Sequence, residues 1–280
     1  MEAIYHNTAF KISKLITRSY STSFSLGISV FSSSYREAIY SVYGYVRLAD
    51  EIVDSFHDYN KKNLLDEFRI ETFNAIERGI STNPVINSFQ LVVNKYKIDL
   101  KYVEDFLNSM EMDLSNSFYE HNSYDKYVYG SAEVVGLMCL KVFCYNHPEL
   151  FDELLGPARS LGSAFQKVNF LRDIKSDLNE RGRIYLPGVK QMIHITDENK
   201  KELERDIQAE FAEALKGIKK LPAGVKLGVY SAYLYYLGLF NKIRKSKVEV
   251  LLKKRVRISN ISKLTLLLKS YFEVKILKTC

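Results

Sequence analysis

The chain contains no tryptophan, and only three cysteines and five prolines in 280 residues. Cys139, Cys144 and Cys280 are too few and too scattered for a disulfide framework or a metal cluster, and a reducing, cytoplasmic setting fits them. The stretch from Met1 to Ser13 lacks the long apolar core of a signal peptide. No apolar run approaches the roughly 18 residues that a membrane-spanning helix needs. Alternating strand-like runs bounded by hairpin signals are scarce, and neither an internal repeat nor a Gly/Pro-rich linker is visible. A secreted disulfide scaffold, an integral membrane protein, a repeat array and an all-β domain are thereby set aside.

What is present is ordinary globular material, 46% apolar and 26% charged, enough for a sizeable core. Twenty Tyr and sixteen Phe supply aromatic bulk for lining cavities. The formal net charge is +7, with much of the excess around Lys242–Lys247 and Lys253–Arg257. Such an excess suits nucleic acid, a phosphorylated metabolite, an acidic membrane surface, or simply solvent. No zinc-finger spacing or RNA-binding aromatic motif accompanies it, so it does not point to nucleic acid.

Apolar residues recur at helical spacing through most of the chain. Ala38, Ile39, Val42, Tyr43, Val46 and Ala49 mark one helix, with Ser34 and Glu37 spaced as a capping box at its start. Asn83-Pro84 reads as N-cap and first helical position of another. Val103, Phe106, Leu107 and Met110 form a further stripe. Later helices are predicted over Tyr124–Phe143, Ala158–Leu178, Asp197–Ile218, Ala223–Leu252 and Ile261–Leu277. The expectation is one all-α domain over residues 1–280, with a loop at Pro187-Gly188 placed to cover a site.

Asp50 and Asp54 lie four residues apart, so on a helix they share a face. Asp173 and Asp177 repeat the spacing, and Asn169 extends that ladder by another turn. Like charges at this spacing destabilise a helix by a few tenths of a kcal/mol, a penalty a divalent cation would reverse. Oxygen-only ligands suit Mg²⁺ or Mn²⁺ rather than zinc. Spacing alone does not decide the matter, because Asp54 and Asp58 share it and exposed acidic pairs usually just solvate a helix. Arg47 and Arg172 stand beside the ladders, either to clamp phosphate or to form plain ion pairs. Two acidic helices facing one another could hold cations and, through them, a diphosphate. Arginines and metal charge would make that diphosphate a leaving group, and an aromatic pocket would shield the remaining carbocation from water.

At these residues the chain resembles the squalene and phytoene synthase family. Tyr20-Ser21-Thr22-Ser23-Phe24 looks like its N-terminal segment, and the run from Tyr43 to Asp54 is similar to its first aspartate-rich motif. Gln166 to Asp177, followed by Arg183-Ile184-Tyr185-Leu186-Pro187, resembles the second, and Tyr127 to Gly136 the helix between them. The resemblance implies an all-α isoprenoid-synthase bundle around a central cavity. Carried over residue by residue, it implies that Asp50, Asp54, Asn169, Asp173 and Asp177 bind magnesium, the four aspartates forming the catalytic set. Ser21, Ser23 and Arg47 would contact diphosphate, Tyr43 and Gln166 would line the cavity, and Tyr236 and Arg255 match late diphosphate-contacting positions. Bland alternatives stand beside these: Ser21 and Ser23 as helix caps, Tyr43 and Tyr236 as core, Gln166 as a buried amide. Glu133 departs from the family pattern, which often has no carboxylate there.

The implied reaction is head-to-head condensation of two geranylgeranyl diphosphates to phytoene through a cyclopropyl (prephytoene-type) diphosphate, without NADPH. The competing expectation is dehydrosqualene or squalene from two farnesyl diphosphates, the latter needing NADPH. A different class, a catalytically silent helical binding protein, is disfavoured by the intact Asp50, Asp54, Asp173 and Asp177. The apolar product and the basic C-terminal third predict peripheral contact with a membrane.

Overall fold

The computed structural model describes residues 2–191, 195–278 and 280. Its first helix, α1 (Glu2–Tyr20), is absent from the periodicity reading because it buries only Ala9, Ser13 and Thr17. A stripe of small residues carries almost no hydropathy signal, yet it lets helices approach closely. A Cβ built on Gly44 would lie 2.9 Å from that of Ser13, and Ser13 shares a 2.7 Å Oγ–Oγ bond with Ser88.

Helices α2 (Thr22–Ser29), α3 (Ser33–Asp54), α4 (Lys61–Arg78), α5 (Pro84–Tyr96) and α6 (Leu100–Ser115) follow. Asn83 caps α5 as expected, accepting from Val85 N at 3.0 Å and Ile86 N at 3.3 Å, with Pro84 in the first turn. The capping box expected at Ser34 and Glu37 does not form. Ser32 is the N-cap of α3 instead, its backbone N–H donating to the Gly224 carbonyl at 2.8 Å, so the helix begins where a tertiary contact anchors it. Because α3 ends at Asp54, Asp58 lies in the following turn, and the accidental Asp54–Asp58 spacing never becomes a helical pair.

The predicted Tyr124–Phe143 helix is interrupted. It consists of α7 (His121–Val128), a π-helical turn (Tyr129–Glu133) and α8 (Val134–Phe143). Two glycines account for the turn's position. A Cβ on Gly130 would fall 2.0 Å from Ser109 Oγ of α6, and one on Gly162 would fall 2.5 Å from the Ala132 carbonyl oxygen. The turn is thus wedged between α6 and α9, with the Val134 N–H bonded to the Tyr129 carbonyl.

Helix α9 (Glu149–Glu180) is longer than expected and runs through Pro157, whose ring packs on Gly217 of α10 (Asp197–Lys220). These two helices share the most extensive contact in the bundle. Thr196 and Asn199 form a capping box at the start of α10. Helix α11 (Ala223–Arg244) stops eight residues short of the expected Leu252, and α12 (Val248–Lys253) restarts where the Val248 N–H bonds Asp197 Oδ1 at 3.1 Å. The chain continues into α13 (Asn260–Tyr271) and a π-helical end (Phe272–Leu277). Among the described residues no helix is long and apolar enough to cross a membrane. The core gathers about the buried Tyr45, which stacks on Phe89 with ring centroids 3.7 Å apart. Beside it α2, α3, α8, α9, α10 and α11 enclose a cavity of about 670 Å³.

Candidate active site

Both acidic ladders line that cavity. From α3 come Tyr43, Arg47, Asp50 and Asp54, and from α9 come Gln166, Asn169, Asp173 and Asp177. In each case the face turned from the cavity carries buried apolar residues, such as Tyr45, Ala49 and Ile52 on α3, which seat it in the core and leave the polar face toward the cavity. Ser21, Tyr236 and Arg255 also line it. Ser23 does not: it belongs to a small separate cleft with Ser231, Tyr235 and Lys263. Glu133 lies outside the lining as well, paired with Arg159 at 2.6 Å.

The ladders differ electrostatically. Arg172 grips Asp173 with a two-pronged contact at 2.9 and 2.5 Å, and Arg255 adds a second cation at 2.6 Å. Burial opposes ionisation of Asp173, but these arginines outweigh it and hold its carboxyl below the usual range. Asp50 and Asp177 are the reverse case. Burial, reinforced by Asp54 beside Asp50 and by Asp173 beside Asp177, pushes both up to about 7. Arg47 is the main cation opposing this at Asp50, but it stands 3.8 Å away, is paired with Glu51 and is stacked over the Tyr20 ring at 4.4 Å, so burial and Asp54 outweigh it.

Two arginines from the turn after α9 tie the ladders together. Arg181 contacts Asp54 at 3.2 Å and Asp177 at 2.8 Å, and so spans them. Arg183 donates to Asp54 Oδ1 at 2.7 Å and to the Val53 carbonyl at 3.2 Å. Behind it Asp113 of α6 accepts from Tyr119 at 2.9 Å, Tyr127 at 2.8 Å and Tyr185 at 2.7 Å. Tyr185 stacks on Phe170 of α9 at 4.5 Å. A backbone bond from Ile184 N to the Ser117 carbonyl at 2.9 Å holds this turn against the end of α6.

With arginine between the ladders, no three carboxylate, histidine or cysteine side chains converge on one point among the described residues. The donor set still fits Mg²⁺, which takes one or two carboxylates together with phosphate oxygens and water rather than an all-protein cage. Asp50 and Asp177, whose ionisation is opposed by burial and by a neighbouring aspartate, are the carboxylates that such ions would neutralise.

Away from the acids the cavity turns apolar. Tyr236 stacks on Phe165 at 3.9 Å and donates to Asn169 Oδ1 at 3.3 Å, marking the boundary. Tyr43 packs against Phe24, its hydroxyl pushed up to about 12 by burial, and Gln166 donates to Ser131 Oγ at 3.4 Å. Ser21 combines both earlier readings, lining the cavity while its Oγ caps α2 by accepting from Phe24 N at 3.2 Å. Beyond lie Phe31, Leu140, Phe143, Leu154, Ile218 and Val229, which offer no charge.

A family model for squalene/phytoene synthase matches residues 17–190, more than half of the chain and both ladders. The chain belongs to the squalene/phytoene synthase family. Its relatives include the phytoene synthase of Arthrospira platensis, 29% identical over 269 residues that cover 86% of each chain. The chloroplastic phytoene synthase 1 of Arabidopsis thaliana is 27% identical over 93% of this chain and 65% of its own. Among solved structures, a dehydrosqualene synthase in complex with a ligand superposes with a TM-score of 0.82 at 22% identity, covering 96% of this chain and 98% of its own. A squalene synthase, HpnC of Alicyclobacillus acidocaldarius, gives 0.74 at 21% identity over 86% and 95%. The fold is therefore the all-α isoprenoid-synthase bundle, and the protein is a prenyltransferase of the head-to-head class.

In this synthase the cavity is completed from outside the matched segment, by Gly217, Val229, Tyr236 and Arg255 among others. Sequence reasoning assigned no role to Asp113, Arg181, Tyr127 or Tyr185, and quoted Arg183 and Tyr185 only as part of a motif. Asp113 sits in an ordinary amphipathic helix with no acidic neighbour at ladder spacing, so no local signal distinguishes it. Arg181 and Arg183 closely follow Asp177, and that proximity was the available clue.

Proposed function

We propose that the protein condenses two geranylgeranyl diphosphates head-to-head to phytoene, all of residues 1–280 acting as one catalytic domain. The observation that carries this reading is one cavity with two acidic ladders at its polar end and an uncharged, aromatic-lined hollow behind them. The phytoene synthases among its relatives support it.

Mg²⁺, or Mn²⁺ in its place, held by Asp50, Asp54, Asn169, Asp173 and Asp177, would neutralise diphosphate charge. Arg47, Arg172 and Arg255 line the same end and supply hydrogen bonds to phosphate oxygens as the donor's carbon–oxygen bond breaks. The allylic cation then lies among Phe24, Tyr43, Phe165 and Tyr236, where water is excluded. The acceptor's double bond attacks it, and proton loss closes the cyclopropane. A second ionisation, rearrangement and proton loss complete the hydrocarbon. No histidine lies in either ladder, which leaves the departing diphosphate as the base. We place the enzyme in the cytoplasm, peripheral to a membrane, on the strength of its basic C-terminal third and the insolubility of such a product.

The test is product analysis with geranylgeranyl or farnesyl diphosphate, each with Mg²⁺ and with or without NADPH. Phytoene from the C20 substrate, independent of NADPH, is the expected result. Product from farnesyl diphosphate alone would replace it with the dehydrosqualene or squalene reading.

A further inference from the structure

We propose that the outward face of α13 is a docking surface for an anionic lipid bilayer. This deepens the peripheral-membrane reading and rests on it, naming the surface that makes the contact.

Helix α13 and its π-helical end sit on α11 through Leu266, which packs by Gly238, and Val274, together with polar groups. Ser231 and Ser270 share a buried 2.6 Å Oγ–Oγ bond, and Tyr230 Oη donates to Glu273 at 2.8 Å. At the other end Lys263 donates to Thr22 Oγ1 at 2.8 Å. The remaining side carries Ile261, Leu264, Leu268, Tyr271 and Phe272 at helical spacing, all exposed. Ile261 is 81% exposed, Leu264 56% and Leu268 62%. Turning this row inward would break the Ser231–Ser270 and Tyr230–Glu273 bonds and leave buried polar groups unpaired, so the packing itself keeps an apolar row in the open.

The charge around the row selects the occupant. From Ser246 to Cys280 the chain carries nine Lys and Arg against Glu249 and Glu273, and Glu273 is engaged by Tyr230. Lys253, Lys254 and Arg257 precede the helix, while Lys269, 3.8 Å from Glu273, and Lys275 and Lys278 lie along and beyond it. An apolar row framed by cations complements acyl chains beneath anionic headgroups.

The location fits as well. Arg255 lines the cavity on Asp173, and the Arg257 carbonyl, two residues on, accepts from Lys242 at 2.7 Å just before α13 begins. Lys263 reaches Thr22, the neighbour of the cavity-lining Ser21. A bilayer seated on α13 would lie beside the cavity's polar end, shortening the aqueous path of a prenyl chain.

The full-length protein is sedimented with vesicles of phosphatidylcholine alone, or with about 30% phosphatidylglycerol added to supply negative surface potential. Binding to the second but not the first is expected. Leu264→Ser with Leu268→Ser should lower the bound fraction by about tenfold or more, since each loses buried apolar area. Lys269→Glu with Lys275→Glu should remove the preference for phosphatidylglycerol, and Ile4→Ser with Leu15→Ser on α1 should change nothing. Unaltered turnover in detergent shows that each variant is folded. A wild type that ignores both vesicles overturns the surface and the peripheral reading together. Undiminished binding by the leucine variant overturns the surface alone, leaving lipid contact to another face. A lipid-free dimer dissolved by the leucine substitutions assigns the row to a second copy and likewise overturns the proposal.

Discussion

Arg183 donates to Asp54 at 2.7 Å across the space between α3 and the turn that follows α9. The same guanidinium lies 3.7 Å from Asp113, so one buried cation joins the first acidic ladder, the second ladder's exit and a three-tyrosine cluster. Arg183 is only 6% exposed, and its proton is held well above the ordinary range by its carboxylate neighbours despite burial.

Arg183→Met should therefore be costly. It removes the cation beside the buried Asp113 and one of two on the half-buried Asp54, a change on the scale of roughly 3–5 kcal/mol for a broken buried pair. Urea denaturation measures it, and adding Asp113→Asn should recover part of the loss. A stability within error of wild type would deny Arg183 this role.

Asp50→Asn and Asp177→Asn keep shape but remove charge from the two ladder carboxylates whose ionisation is opposed by burial and a neighbouring aspartate. Each should lower kcat/KM by about 100-fold or more if it neutralises diphosphate through bound metal. Raising Mg²⁺ should recover only part of that. Steady-state kinetics across a magnesium series decides.

Folded Asp50 and Asp177 bind protons up to about pH 7, whereas in the unfolded chain they take the ordinary value of 3.8. Between those limits the folded state carries more protons than the unfolded one, so stability contributed by these groups is lost as pH rises. Metal-free protein in EDTA should thus melt lower at about pH 7.5 than at about pH 5, through these two groups, and Asp50→Asn should flatten the slope. Mg²⁺ should bind more tightly as pH rises through 7, displacing protons. Thermal melts and metal titration at several pH values test both signs.

Val229 lies at the apolar end of the cavity. Val229→Phe fills part of it and should disfavour a C20 chain against a C15 chain by roughly tenfold, the scale on which a pocket discriminates a few methylenes. Competing the two diphosphates in one assay gives the ratio directly. An unchanged ratio would remove Val229 from chain-length control.

How far the site was legible follows from which signals are local. Asp50, Asp54, Asn169, Asp173 and Asp177 stood out because a four-residue repeat on a helix is written in consecutive residues. Asn83-Pro84 was equally plain, since capping concerns backbone groups within one turn. Helix α1 escaped because Ala9, Ser13 and Thr17 bury through smallness, not hydropathy. The π-helical turn escaped because Gly130 and Gly162 acquire meaning only against Asp105, Ser109 and Ala132 of neighbouring elements. Pro157, an ordinary helix breaker, is carried inside α9 where it packs on Gly217.

By itself, then, the order of residues determined helical content, two metal-suited ladders and membership of a recognisable family, because these depend on neighbours within a turn or two. Only the tertiary structure decided that Arg181 spans the ladders, that Asp113 anchors three tyrosines behind Arg183, that Ser23 lies outside the main cavity, and that α13 shows its apolar row to solvent. The deciding contacts, such as Arg183 with Asp54 and Tyr185 with Asp113, join residues 129 and 72 positions apart, and no local periodicity encodes which distant side chain will meet a buried charge.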